Sequence, residues 1–201
     1  MISALSTTTS TIPPDGVRPL RFPVALWRLA KCAATTPTLI ARGRLHQPGT
    51  NVGRRLAFAD GTSAPVYRET VRDRPVRGEP VVLIVEFKMR FLNGRLGRAY
   101  FRKVSLLNTP LFAGFPGFVS KWWMAADEVG KYRGIYEWTD ARLADDYVRA
   151  LWWALATISR LDSIRYRVLP GQQRADLLVG QGLGAPGGDW WRAVSAEAAL
   201  E

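Results

Sequence analysis

Apolar and polar positions alternate with a period of two in four stretches of the chain, and with a helical period between them. From Leu83 to Phe91 the odd positions are apolar while Glu86, Lys88 and Arg90 fall between them, which predicts a half-buried strand over 81–91. Phe118, Ser120, Trp122 and Met124 share one side of a second predicted strand, 118–124. Tyr132, Tyr136 and Trp138 oppose Arg133 and Glu137 in a third, 131–138, and the two read as sheet neighbours. Ile164, Tyr166 and Val168 alternate with Arg165 and Arg167 in a fourth, 163–169, stopped by Pro170-Gly171. Leu143, Ala144, Tyr147, Val148, Leu151, Trp152, Leu155 and Ile158 recur at helical spacing behind Thr139 or Asp140 as a cap, predicting a helix over 141–159. Residues 97–111 are also compatible with helix, broken by Pro110 and by Gly114-Phe115-Pro116-Gly117.

The order strand, helix, strand, strand, helix, strand predicts an α+β fold over 81–171. It is a ferredoxin-like βαββαβ antiparallel sheet with both helices on one face. Three further segments flank it. Residues 1–16, Ser/Thr-rich with Pro13-Pro14, read as a disordered arm. Residues 17–80 read as an extension holding a helix from Val24 to Thr35 behind Pro23, a loop over 42–51, and a short hairpin of 54–59 with 64–71 around Asp60-Gly61. Residues 172–201 form a Gly-rich tail, with Trp190-Trp191 anchoring it and a last short helix from Ser195 to Leu200. Its glycines follow no strand and open no helix, so a dinucleotide-binding loop fails on context.

Alternation divides the sheet into two faces. Leu83, Val85, Phe87, Phe118, Trp122, Tyr132, Tyr136, Trp138, Ile164 and Tyr166 are expected to face the helices. The other face carries Glu86, Lys88, Arg90, Lys121, Arg133, Glu137, Arg165 and Arg167 among Val82, Ile84, Trp123 and Ile135. This face could be solvated or covered by the N-terminal region, but aromatic residues among charges of both signs suit an interface better than open water, so it is expected to meet a second copy of the chain. Glu86 and Glu137 are expected to be neutralised there by Lys88, Arg133 or Arg165 rather than to act as bases.

Composition removes several kinds of chemistry. Cys32 and His46 are the only cysteine and histidine, which argues against a disulfide, a thiolate or histidine metal centre, and a His-dependent nucleophile. The net charge of +11 invites a nucleic-acid reading, but the arginines are scattered along the chain, which disfavours it. No run is long and apolar enough to span a bilayer, and the start lacks a secretory pattern, so the expected location is cytoplasmic. Tryptophan is the outlier. Six of the eight occur as adjacent pairs, a density able to line a pocket for a flat or greasy ligand.

The turn Pro116-Gly117-Phe118-Val119-Ser120, the strand 131–138 and the ending Ile164 to Gly171 resemble the dimeric α/β-barrel superfamily. The similarity is to the YdhR-type and antibiotic-biosynthesis-monooxygenase proteins. It implies a homodimer with sheets packed face to face and a pocket between sheet and helices. It also implies a hydrophobic, polyketide-like substrate and oxygenation without metal, flavin or other cofactor. A cofactor-free cyclase or isomerase of the same fold, and a non-catalytic ligand-binding or structural dimer, are the alternatives.

Oxygenating a phenol without a cofactor requires stabilising its anion, for which amide and hydroxyl donors serve, while aromatic side chains orient the ring. Asn93, Tyr100 and Tyr136 are the candidate catalytic residues, with Asn108 of the same chemistry. Trp122, Tyr132, Trp138, Tyr147, Trp152 and Tyr166 are the candidate substrate-binding residues.

Overall fold

A computed structural model of the chain describes residues 18–74, 79–90, 105–178 and 189–197. Eight strands and two α-helices are present in them: α1 Phe22–Ala41, β1 Leu45–His46, β2 Arg55–Phe58, β3 Ser63–Arg72, β4 Val81–Lys88, β5 Phe118–Met124, β6 Lys131–Trp138, α2 Ala141–Ile158, β7 Arg165–Pro170 and β8 Ala193–Glu197. The sheet runs β7-β4-β6-β5-β3-β2-β8, with β1 beside β3, and every pairing is antiparallel. Its β7-β4-β6-β5 portion has the ferredoxin-like order 4-1-3-2. The alternating stretches became strands close to their predicted bounds.

The helical layer is built differently from expectation. α2 starts where Asp140 accepts a hydrogen bond from the Leu143 N–H, so the predicted cap forms. The first crossover contributes only a 3₁₀ turn, Ser105–Leu111, among the described residues; most of the helix expected over 97–111 lies outside them. α1 lies beside α2 instead. Trp153 Nε1 donates to the Leu20 carbonyl at 2.8 Å, Arg28 pairs with Asp146 at 2.9 Å, and Phe22 meets Trp153 edge-on. Gly114 lets the crossover approach α1, since a Cβ there would lie 2.2 Å from the Cys32 carbonyl oxygen. Cys32 is sealed beneath this contact, and burial pushes its thiol up to about 12, so it is no nucleophile.

The second face of the sheet, expected to meet another copy, is filled by the chain itself. β3 continues past β5 to pair with β2, β2 pairs with β8, and these strands with residues 174–178 turn over it. Val82, Ile84, Trp122 and Ile135 are buried there against Leu56, Phe58, Leu177 and Ala193, with Trp190 and Trp191 at the margin. Arg165 and Arg167 lie over the rings of Trp190 and Trp191, so the tail is anchored as expected. Residues 195–197, the described part of the helix expected over 195–200, belong instead to strand β8 because the edge of β2 offers them ladder hydrogen bonds. Face-to-face packing of this part of the sheet against a partner is therefore corrected: its apolar residues Val82, Ile84, Trp122 and Ile135 are covered within one chain, and only charged residues such as Arg165 stay exposed at its margin.

Charges on this face are matched. Arg133 is fully buried and pairs with Asp60 at 2.6 Å, with Asp127 at 3.2 Å and with Glu86. Arg165 holds Glu86 from the other side at 2.6 Å, and Lys131 adds a bond to Asp60 at 2.7 Å. Glu69 accepts from Arg174, Trp122 and Asn51. Glu86 thus does neutralise Arg133 and Arg165, but within the chain rather than across an interface. Burial alone would raise the Asp60 carboxyl; the bonds from Lys131 and Thr62 and the charge of Arg133 outweigh it and hold the group at about 2.

Candidate functional site

Two irregularities in the strands shape the space between sheet and helices. In β5 the register with β6 shifts between Phe118 and Ser120, so one extra residue enters the strand. Phe118 opposes Trp138, but three residues later Lys121 opposes Tyr136, so Lys121 and Trp123 project to the helix side and Ser120, Trp122 and Met124 to the other. Parity is inverted beyond the bulge. A second shift, between Val66 and Arg68 of β3, puts Tyr67 at the helix side and Arg68 opposite Trp123.

The result is a cavity of about 200 Å³ lined by Tyr67, Phe112, Trp123, Tyr132, Tyr136 and Tyr147, with Phe87, Leu151 and Leu155 among the other apolar walls and Asn108 and Lys121 as polar ones. An apolar cavity of about 150 Å³ already holds benzene, so one substituted ring fits. Gly134 is part of the wall. A Cβ there would stand 2.8 Å from the Tyr136 ring, which lies back across the glycine.

Lys121 is 5 % exposed, and its Nζ sits 3.1 Å from the Trp123 ring centroid and 4.6 Å from those of Phe112 and Tyr136. Among the described residues it has no ion pair. No aspartate or glutamate among the described residues lines the cavity. Arg68, 7 % exposed, stacks its guanidinium 3.9 Å from the Trp123 centroid and spends one nitrogen on the Ser105 carbonyl, leaving Nε and Nη1 unpartnered. Burial first, and the Arg68 charge second, push the Lys121 ammonium well below the ordinary lysine range. The amine therefore holds its proton less tightly than an ordinary lysine does, at the wall of an aromatic chamber. The Tyr147 hydroxyl donates to that of Tyr136 at 3.4 Å, and burial pushes both phenols well up, so neither supplies a proton to Lys121.

The structure brings Tyr132, Tyr136, Tyr147 and Asn108 of the expected residues to one cavity. Trp122 is not with them: the bulge sends it to the opposite face, where its Nε1 donates to Glu69 at 3.0 Å and Arg174 covers its ring. Trp138 is packed among Phe115, Phe118 and Tyr147 beside the cavity rather than on its wall. Trp152 lies edge-on to Trp153 on α2, and Tyr166 donates to Asp145 at 2.8 Å; neither lines the space. Asn93 and Tyr100 lie outside the described residues. Tyr67, Phe112, Trp123 and above all Lys121 were missed. The Trp122-Trp123 pair was the one available signal, since either parity of the strand places a tryptophan on the helix side.

No protein-family model and no curated protein matches the chain. Two solved structures are distantly similar. An uncharacterized ferredoxin-fold protein related to antibiotic biosynthesis monooxygenases, from Listeria monocytogenes 4b F2365, is 15% identical over 69% of this chain and 88% of its own, with a TM-score of 0.39. A major regulator of staphylococcal pathogenesis is 15% identical over 72% of this chain and 92% of its own, also with a TM-score of 0.39. The ferredoxin-like topology stands on the strand order, and the cavity on its own residues.

No group of His, Cys, Asp and Glu able to hold a metal occurs among the described residues. His46 pairs with Asp73 at 2.8 Å, exposed and away from the cavity. No helix among the described residues is long and apolar enough to cross a membrane.

Proposed function

We propose that the protein binds a small aromatic compound in the sheet–helix cavity and oxidises it as a cofactor-independent monooxygenase. The observation that carries this reading is the aromatic chamber itself, apolar on most sides with few polar side chains on its wall. Its size favours a monocyclic phenol or quinol over a multi-ring polyketide. In such an oxygenation a phenol and O₂ give a quinone and water. One oxygen atom enters the ring, and the other leaves with two hydrogens from the substrate, so no further reductant is needed.

The test is to incubate the purified protein with simple phenols and hydroquinones, following oxygen consumption and product formation aerobically and anaerobically. Oxygen-dependent quinone formation is the expected result. An oxygen-independent rearrangement would transfer the cavity to the cyclase or isomerase reading, and binding without turnover to a ligand-binding protein. Failure of every small aromatic compound to bind would remove the cavity from the argument altogether. The homodimer enters the same proposal through another surface, since the second sheet face is occupied; sedimentation of the purified chain tests it.

A further inference from the structure

We propose that Lys121 is the proton acceptor for an acidic hydroxyl on the bound ring, so that a phenol enters the cavity neutral and is held there as its phenolate. The inference rests on the cavity being a binding site for an aromatic ligand, and adds the ligand's acid–base class and the group that reads it. The step is a single proton transfer. The ligand O–H breaks, the proton joins Nζ, and an ammonium–phenolate pair remains; nothing is oxidised or reduced.

Three observations support it. Lys121 is buried, carries no ion pair among the described residues, and lies against the rings of Trp123, Phe112 and Tyr136, where a planar ligand would stack. The other titratable or charged side chains on the wall cannot substitute for it. Tyr67, Tyr132, Tyr136 and Tyr147 are phenols, no more basic than the ligand's own hydroxyl, and the Arg133 guanidinium lies on the other sheet face, committed to Asp60, Glu86 and Asp127. Finally, Arg68 places a cation without a carboxylate partner over the Trp123 ring. A phenolate formed in the cavity would pair with the new Lys121 ammonium and lie near the Arg68 charge, and in a low-dielectric site that attraction is strong.

A phenol suits the site better than a carboxylate. It crosses the apolar wall uncharged and leaves its charge inside, whereas a carboxylate must first shed its hydration. Formation of the phenolate is also the step that makes a phenolic ring reactive toward oxygen.

The experiment uses para-nitrophenol, whose phenolate has its own visible absorption band, at a pH well below the ligand's own pKa. Para-nitroanisole, with the same ring and no acidic proton, is the control, and binding of each is followed by quenching of tryptophan fluorescence. Wild-type protein is expected to raise the phenolate band saturably. Lys121→Met, compared at ligand concentrations that saturate its own fluorescence quenching, is expected to lose the band by about tenfold or more, the factor that one unit of pKa represents.

Anisole binding to wild type without a phenolate band would overturn the inference and leave the cavity reading intact. Failure of both probes to bind would overturn both. A band that survives in Lys121→Met would also overturn the assignment, because another group would be taking the proton. If Lys121→Met does not fold, Lys121→Gln takes its place as the test of the amine, with the same loss of the band expected.

Discussion

The two faces of the central sheet bury basic side chains under opposite regimes. On the face covered by β2, β8 and residues 174–178, Arg133 and Arg174 each meet at least one carboxylate, and Arg133 meets three. On the face toward the helices, Lys121 and Arg68 are equally buried and meet none among the described residues. A buried pair serves to align strands, whereas a buried cation without one stays costly until something else supplies the opposite charge. One face is complete as folded. The other has room and charge left over, which is the signature of a site.

The largest expected effect comes from breaking the completed face. Arg133→Met leaves Asp60, Asp127 and Glu86 buried without their shared cation, and a loss of about 3–5 kcal/mol in urea unfolding is expected. Gly134→Ala acts on the open face. The new methyl displaces the Tyr136 ring into the cavity, with destabilisation of about 1–3 kcal/mol and weakened binding of para-nitroanisole.

Lys121→Met should run the other way, stabilising the unliganded protein by about 1–2 kcal/mol because it replaces an unpaired buried amine with an apolar chain of similar length. The sign can be checked by pH. Burial lowers the folded pKa of Lys121 below its open-chain value, so between the two the unfolded chain holds a proton that the folded cavity sheds, and wild-type stability rises with pH. The advantage of the variant therefore narrows as pH approaches the ordinary lysine value of about 10.4. An unchanged advantage across that range would show that Lys121 folds in charged.

Asp60 gives the smallest and most specific effect. Its folded carboxyl lies at about 2, below its value of 3.8 in the open chain, so its stabilising contribution is present above 3.8 and is lost as pH falls through about 2. Acid unfolding of wild type should show a loss of about 1 kcal/mol in that window that Asp60→Asn does not show.

Much of the architecture was legible because it is set by short-range periodicity. The strand at 81–88, those at 118–124 and 131–138, and the Asp140-capped helix all follow from which neighbours are apolar. The cavity was legible only in part. Tyr136 and Tyr147 were found because β6 is regular from Lys131 to Trp138 and α2 keeps its helical period. Trp122 was misplaced and Lys121 was assigned to the charged face because a single inserted residue near Val119 inverts everything after it. Such a bulge leaves no mark in an alternation of large and polar residues, since both parities of Ser120-Lys121-Trp122-Trp123 look equally plausible.

The covering of the second face was hidden for another reason. Its occupants come from 55–66, 174–178 and 190–196, far apart in sequence, and the tendency of 193–197 to form strand exists only beside the edge of β2. The amino-acid sequence by itself determined the local elements, their order and the scarcity of histidine and cysteine chemistry, because these depend on neighbours a few residues away. The tertiary structure alone decided which way Lys121 points and which face of the sheet is closed. Strand parity and edge pairing are settled by contacts between distant segments, where one residue of register exchanges inside for outside.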